Sequence, residues 1–235
     1  MSDLSRDREH PHVGQAQRDA GGPGRLGLGM SRGHGRGPAD EVFASDADRV
    51  GIRTWARRAG WEAVDGSGRR QRVADELVRS APARRIGSDH HPRNVIAGSV
   101  DGLDVLAFDI AVSATTGWIA EWAVTAAAVP AGAPTVRLTP ARLWLHDPDG
   151  LARLETGDER FDARWRVLGR DAGARQVADD AAVRQALLAT DDGDDFWIAA
   201  GHLAALRPDG HRPLLLEHHL RLLAVIQRAL GSAAG

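Results

Sequence analysis

Asp89-His90-His91 and His202 are the side chains in this sequence best suited to acid–base chemistry, because imidazole and carboxylate can exchange protons near neutral pH. Neutral imidazole and carboxylate also suit zinc-like ions, yet adjacent histidines diverge in extended backbone and make a poor chelate without a further ligand such as His146 or His202. Asp89 to His91 therefore reads as a polar loop, and no metal site or cofactor is expected. If the chain is an enzyme, Asp89, His90 and His202 must converge at one end of a sheet.

Other clusters carry less. His218 and His219 are neighbours on a predicted helix, about 100° apart, so they cannot act together as an i, i+4 pair does. His219 falls on the apolar face and reads as a core or interface histidine. Asp191-Asp192-Gly193-Asp194-Asp195 lacks the loop register and terminal glutamate of a calcium-binding EF-hand, and reads as a solvated acidic turn. Asp109, in an apolar strand, is expected to pair with an arginine or face water. Gly66-Ser67-Gly68 is a loop between helices and has no strand–turn–helix context for a nucleophilic serine. With no cysteine in 235 residues, disulfides, thiolate metal sites and cysteine nucleophiles are excluded together.

The surface offers two other candidates. Arg49, Arg53 and Arg57 share one face of the first predicted helix, and residues 41–100 hold eleven arginines against eight carboxylates. All thirty basic residues are arginine, so their number alone is weak evidence. Seven tryptophans stand beside four phenylalanines and no tyrosine. Trp118, Trp144 and Trp197 fit inward parity least well, and exposed tryptophan marks binding surfaces. A net charge of −2 and a pI near 6.5 argue against a protein built to neutralise phosphate, so nucleic acid is not the expected partner.

These groups need elements to hold them. Residues 1–40 contain nine of the 27 glycines and almost no large apolar side chains, which predicts a disordered Gly/Arg-rich tail. Residues 41–235 then form a single α+β domain, helical over 41–85 and sheet plus helices over 86–230. Ser45 and Asp48 precede helical spacing at Ile52, Trp55, Ala56 and Ala59, closed by Gly60. A second helix is predicted from Arg69 to Ser80.

From Asn94 the period becomes two. Strands are predicted over Asn94–Val100 and Leu103–Ser113, joined at Asp101-Gly102, then over Glu121–Val129 and Thr135–Thr139. Phe161, Ala163, Trp165 and Val167 alternate with charged residues, which predicts a strand over Arg160–Leu168. An inserted helix over Asp180–Ala189, a strand pair over Phe196–Ala200 and His202–Leu206, and an amphipathic helix from Pro213 to Leu230 follow. The fold class is α+β: a mainly antiparallel sheet of six to seven strands arranged as a meander. It has two N-terminal helices, one inserted helix and a C-terminal helix packed on the sheet.

Arg93-Asn94-Val95-Ile96-Ala97-Gly98, Val105-Leu106-Ala107-Phe108-Asp109 and Phe196-Trp197-Ile198-Ala199-Ala200-Gly201-His202-Leu203, with the alternating Phe161 segment and the terminal helix, resemble an uncharacterised actinobacterial family. The resemblance spans Ile86 to Leu230. Some members of that family carry membrane helices ahead of the shared domain. It implies a fold and a boundary but no reaction.

The apolar runs here, such as Ala126–Val129, are too short to span a bilayer, and the polar start lacks a secretory pattern, so the expectation is a cytoplasmic protein without membrane insertion. A non-catalytic interaction or ligand-binding domain is the reading that fits best, with an unknown protein partner or small ligand and a homo-oligomer as an option. The alternatives are an enzyme using the Asp/His groups and weak nucleic-acid binding through the arginine-rich N-terminal part.

Overall fold

A computed structural model describes residues 47–115, 117–141 and 150–233, all within one compact unit, Ala44–Gly235. The predicted 1–40 tail, Trp144 and His146 lie outside the described residues. The chain begins with α1 (Arg49–Arg58), β1 (Glu62–Ala63) and α2 (Gly68–Ser80). Strands β2 (His90–Val100), β3 (Leu103–Ala114), β4 (Gly117–Ala128), β5 (Val136–Pro140) and β6 (Ala152–Leu154) follow. Next come α3 (Glu159–Arg164), β7 (Trp165–Gly169), α4 (Ala172–Asp179) and α5 (Ala181–Leu188). The chain closes with β8 (Asp195–Ala199), β9 (His202–Pro208) and α6 (Pro213–Ala233).

All nine described strands join one antiparallel sheet in the order β1-β2-β3-β4-β9-β8-β5-β7-β6. The α+β class and the antiparallel sheet match the sequence reading, but the sheet has nine strands rather than six to seven. β1 and β6 are two and three residues long, too short to show any period. The meander holds only through β2, β3 and β4. Beyond Pro130–Pro134 the chain passes over, and the β8–β9 hairpin fills the space between β4 and β5.

Two tight turns follow from local chemistry. Asp101 and Gly102 take φ of 50° and 79°, pairing Val100 with Leu103, and Ala200 and Gly201 take 52° and 69° between β8 and β9. Both central residues of such a turn need positive φ, which Gly and Asp accept more readily than others, whereas Ala200 takes it at the cost of crowding its Cβ.

The segment from Arg160 to Leu168 corrects the sequence reading. Asp158 caps a helical turn by accepting the Phe161 N–H at 3.0 Å, so Glu159–Arg164 is helix α3 and only Trp165 onward is strand. Phe161 and Trp165 are both buried, and a spacing of four satisfies the helical period as well as the alternating one. The N-cap settles the ambiguity. The single inserted helix is likewise three: α3, α4 and α5, each with an aspartate, Asp158, Asp171 or Asp180, capping its start.

Both faces of the sheet are covered. On one, α1, α4, α5 and α6 enclose Val105, Ala107, Ala127, Leu138, Phe161, Trp165, Phe196, Leu203 and Ala205. On the other, α2 lays Ala74, Leu77 and Val78 on Leu106, Phe108, Ile110, Val124, Ala126 and Leu206. Hence every residue from Val105 to Ala111 is buried, and the strand reads as an apolar run interrupted by Asp109. Val124 and Leu138, which sequence parity placed together, face opposite layers. Among the described residues no helix is long and apolar enough to cross a membrane.

Candidate cationic cleft and its surroundings

The arginines of α1 are placed by what lies beneath them. Asp48 caps the helix through the Gly51 N–H at 2.8 Å, and Ile52 and Ala56 bury its inner face, so Arg49, Arg53 and Arg57 form an outer stripe. Past Gly60, whose φ is 72°, the chain reverses and Trp61 packs edge-on against Trp55 at 5.2 Å. Trp55 donates its indole N–H to Glu217 of α6 at 3.0 Å. Trp61 needs the absence of a side chain at Gly98 on β2, where a Cβ would lie 2.3 Å from the indole ring.

Opposite α1, strand β2 breaks its register between Arg93 and Ile96. Asn94 sits in that bulge at φ 54°, a left-handed conformation that asparagine tolerates better than other side chains. Both ends of its amide are engaged: Oδ1 accepts from Arg53 at 3.2 Å, and Nδ2 donates to Asp109 Oδ2 at 2.8 Å. The other oxygen of Asp109 accepts the His211 N–H at 2.8 Å. Asp109 is thus buried and hydrogen-bonded by an amide side chain and a backbone N–H. Sequence reasoning expected an arginine or water.

Between α1, the loop to α2 and β2 runs a cleft of about 570 Å³, lined by Arg53, Arg57, Trp61, Gln71, Arg93 and Asn94 among others. The Arg93 guanidinium lies 3.6 Å above the centre of the Trp118 ring, and Arg49 donates to the Trp118 carbonyl at 3.1 Å. Arg49, Arg53, Arg57 and Arg93 form no ion pair with any described carboxylate, whereas Arg70, Arg137, Arg164 and Arg207 each do. Asp65 borders the cleft, and the backbone N–H and hydroxyl of Ser67 hold its carboxyl below the usual range. The cleft therefore carries excess positive charge with forked donors, the chemistry that grips carboxylate or phosphate.

The acid–base candidates fall in two places, Asp89 with His90 and His202 apart from them. His90 is buried between Asp89 at 2.9 Å and Glu121 at 3.2 Å. His202 pairs with Ala128, seven residues along β4 from Glu121, which is about 23 Å at roughly 3.3 Å per residue. Nor does His202 reach a carboxylate: its Nδ1 meets the Ala200 carbonyl at 2.8 Å. Of the tryptophans, Trp118 is exposed, whereas Trp197 is core, its indole N–H donating to Ser80 at 3.2 Å.

A second cluster escaped sequence reasoning. Asp194 is fully buried and accepts from Arg207 at 3.1 Å, His218 at 3.0 Å and His219 at 3.2 Å. Burial opposes its ionisation, but the bonds from His218 and His219 and the charge of Arg207 outweigh that and hold the carboxyl far below the usual range. His219 Nδ1 accepts from the Thr125 hydroxyl at 2.9 Å, so its Nε2–H faces Asp194. His211 donates Nε2–H to the Val124 carbonyl at 2.9 Å. Burial lowers the pKa of both imidazoles.

The acidic run at 191–195 is thus not a solvated edge. Asp191 pairs with Arg207 and Asp192 with Arg164, and Asp194 and Asp195 are buried, the latter accepting from Thr139. Arg164 also donates to the carbonyls of Leu188 and Thr190, satisfying the end of α5. Only the position of these partners in the fold, 94 residues apart for Thr125 and His219, makes the network visible. Among the described residues no group of three or more His, Asp or Glu could hold a metal ion.

No protein-family model matches this chain, and no curated protein matches it. Among solved structures it is similar to the mycobacterial trehalose monomycolate transport factor A, TtfA, with a TM-score of 0.57 and 18% identity. That similarity covers 77% of this chain and 93% of the other. The α+β architecture is therefore one that a mycobacterial protein of known structure shares.

Proposed function

We propose that this protein is a non-catalytic interaction or ligand-binding domain whose α1–β2 cleft receives an anionic group. One observation carries the reading: Arg53, Arg57 and Arg93 converge on a cleft of about 570 Å³ and have no carboxylate partner there. The separation of His202 from the Asp89–His90 pair gives the enzyme alternative no comparable support. A chain of this fold named as a transport factor is in keeping with a binding role, and the partner class we place first is a protein of a transport assembly. The mycobacterial neighbour also supports membership of the uncharacterised actinobacterial family suggested by the segments at Arg93–Gly98 and Phe196–Leu203.

Thermal denaturation of the full chain with pyrophosphate as the probe tests the reading. A ligand that binds only the native state at about 100 times its Kd adds about 2.7 kcal/mol. At about 2–4 °C per kcal/mol for a domain of this size, the midpoint rises by several degrees. Arg57→Glu should abolish the rise, while Arg221→Glu on α6, outside the cleft, should leave it intact. Equal responses of both variants, or no response to pyrophosphate or to a polyglutamate peptide, would remove the anion cleft.

A further inference from the structure

The arginines that line the cleft belong to a longer row. Arg49, Arg53 and Arg57 stand four residues apart on α1, so neighbours are about 6 Å apart along its axis and the ends about 12 Å. Arg93 lines the cleft and stacks on the Trp118 ring at 3.6 Å, which puts Trp118 at one end of the row. Arg49 donates to the Trp118 carbonyl there, at 3.1 Å. In the middle Arg53 is held by Asn94, and Arg57 lines the cleft beyond it.

Strand pairing settles which charges share this face. His91 pairs with Ala111 and Trp118 with Ser113, and the His91 ring meets Trp118 edge-on at 5.7 Å, on the side that carries α1. His90 points to the opposite side, against α2, and Glu121 is bonded to His90 there. The four guanidinia therefore stand against Asp48, Asp65 and, beneath them, buried Asp109, and the row stays cationic.

No single phosphate or carboxylate bridges a row of about 12 Å. In an extended peptide alternate side chains share a face at about 7 Å, close to the spacing of the arginines. A helix of the same length, about 10 Å across, fills about 900 Å³, more than the cleft of about 570 Å³ holds. Single-stranded nucleic acid needs open aromatic faces on which successive bases stack. Among the described residues Trp118 is the exposed aromatic side chain of this row, and Arg93 already covers one of its faces.

We propose that the α1–β2 cleft and Trp118 bind an extended acidic segment of a partner protein. Its carboxylates, at alternate positions, lie along Arg57, Arg53 and Arg49, and an apolar side chain rests against Trp118. This rests on the anion cleft and names what fills it.

Fluorescence anisotropy at low salt, with the full chain and labelled synthetic peptides, tests it. One peptide alternates glutamates with serines over six positions and ends in leucine; its isomer has the same residues with the glutamates contiguous. The isomer turns one carboxylate away from the row and should bind about two- to fivefold more weakly. Replacing the leucine by serine should cost at least about threefold. Arg49 lies outside the cleft that pyrophosphate enters, so Arg49→Gln should weaken the alternating peptide about two- to fivefold. The same variant should keep the pyrophosphate response and the thermal midpoint. Equal binding of the two isomers, of peptides with and without the leucine, or of wild type and Arg49→Gln would overturn the inference, and an intact pyrophosphate response would leave the cleft reading standing. No binding of either peptide or pyrophosphate would end both. Tighter capture of an oligothymidylate than of either peptide would also overturn it and make the partner a single-stranded nucleic acid.

Discussion

Acidification should destabilise this protein above the ordinary carboxylate range, because His211 and His219 are enclosed. For each, burial is the largest influence and lowers the pKa. The charge of Asp109 and the bond to the Val124 carbonyl offset this in part for His211, as the bond and charge of Asp194 do for His219. Neutral His219 is already satisfied, accepting from Thr125 and donating to Asp194.

Below about pH 6.5 the unfolded chain binds protons at these positions that the native protein does not, so stability is lost as pH falls. One unit below that value the loss is at most about 1.4 kcal/mol per imidazole, or about 2.8 kcal/mol for the pair, a large part of a stability of about 5–15 kcal/mol. Asp194 behaves oppositely: its lowered pKa contributes stability that is complete above the ordinary carboxylate value near 3.9, and that falls away only at more acidic pH. The window from about pH 7.5 to 5.5 therefore separates His211 and His219 from Asp194. Urea titrations across it should show an unfolding free energy that is flat at the upper end and then drops by up to about 3 kcal/mol, and His219→Asn should remove about half of the drop. A change below about 0.5 kcal/mol would mean that both rings charge freely in the native state, and would refute the burial argument.

Two substitutions test local arguments. Asp158→Ala removes the cap of α3 and should cost about 1 kcal/mol, or about 2–4 °C in thermal midpoint; an unchanged midpoint would favour a strand from Arg160. Gly98→Ala would drive a methyl to 2.3 Å from Trp61 and should cost about 1–3 kcal/mol with a change in tryptophan emission. A silent result would mean that Trp61 does not pack there.

Much of the local structure was legible. The stop at Gly60, the Asp101-Gly102 turn, the strand over Leu103–Ser113 and the helix opened by Pro213 each depend on neighbours a few residues apart, which a linear pattern records. So did the stripe of Arg49, Arg53 and Arg57, since helical period alone puts them on one face. Trp118 was identified as a candidate from its poor parity, and it is exposed.

What the chain's order of residues could not disclose was whatever depends on distant pairing. β1 and β6 exist because β2 and β7 offer them an edge, not because two or three residues have a period. The place of β8 and β9 between β4 and β5 is a choice among sheet orders that share the same alternation. Arg93 joins the cleft and Asn94 anchors it only once the bulge in β2 meets α1 and Asp109. The acidic run at 191–195 looked solvated because charge favours water. Arg207, His218, His219 and Thr139 converge on its second half, and their hydrogen bonds offset the cost of burying it. Composition and local period determined the α+β class and most elements. Tertiary structure alone decided the strand order and which charges are paired, buried or left open, because those depend on contacts between residues far apart in the chain.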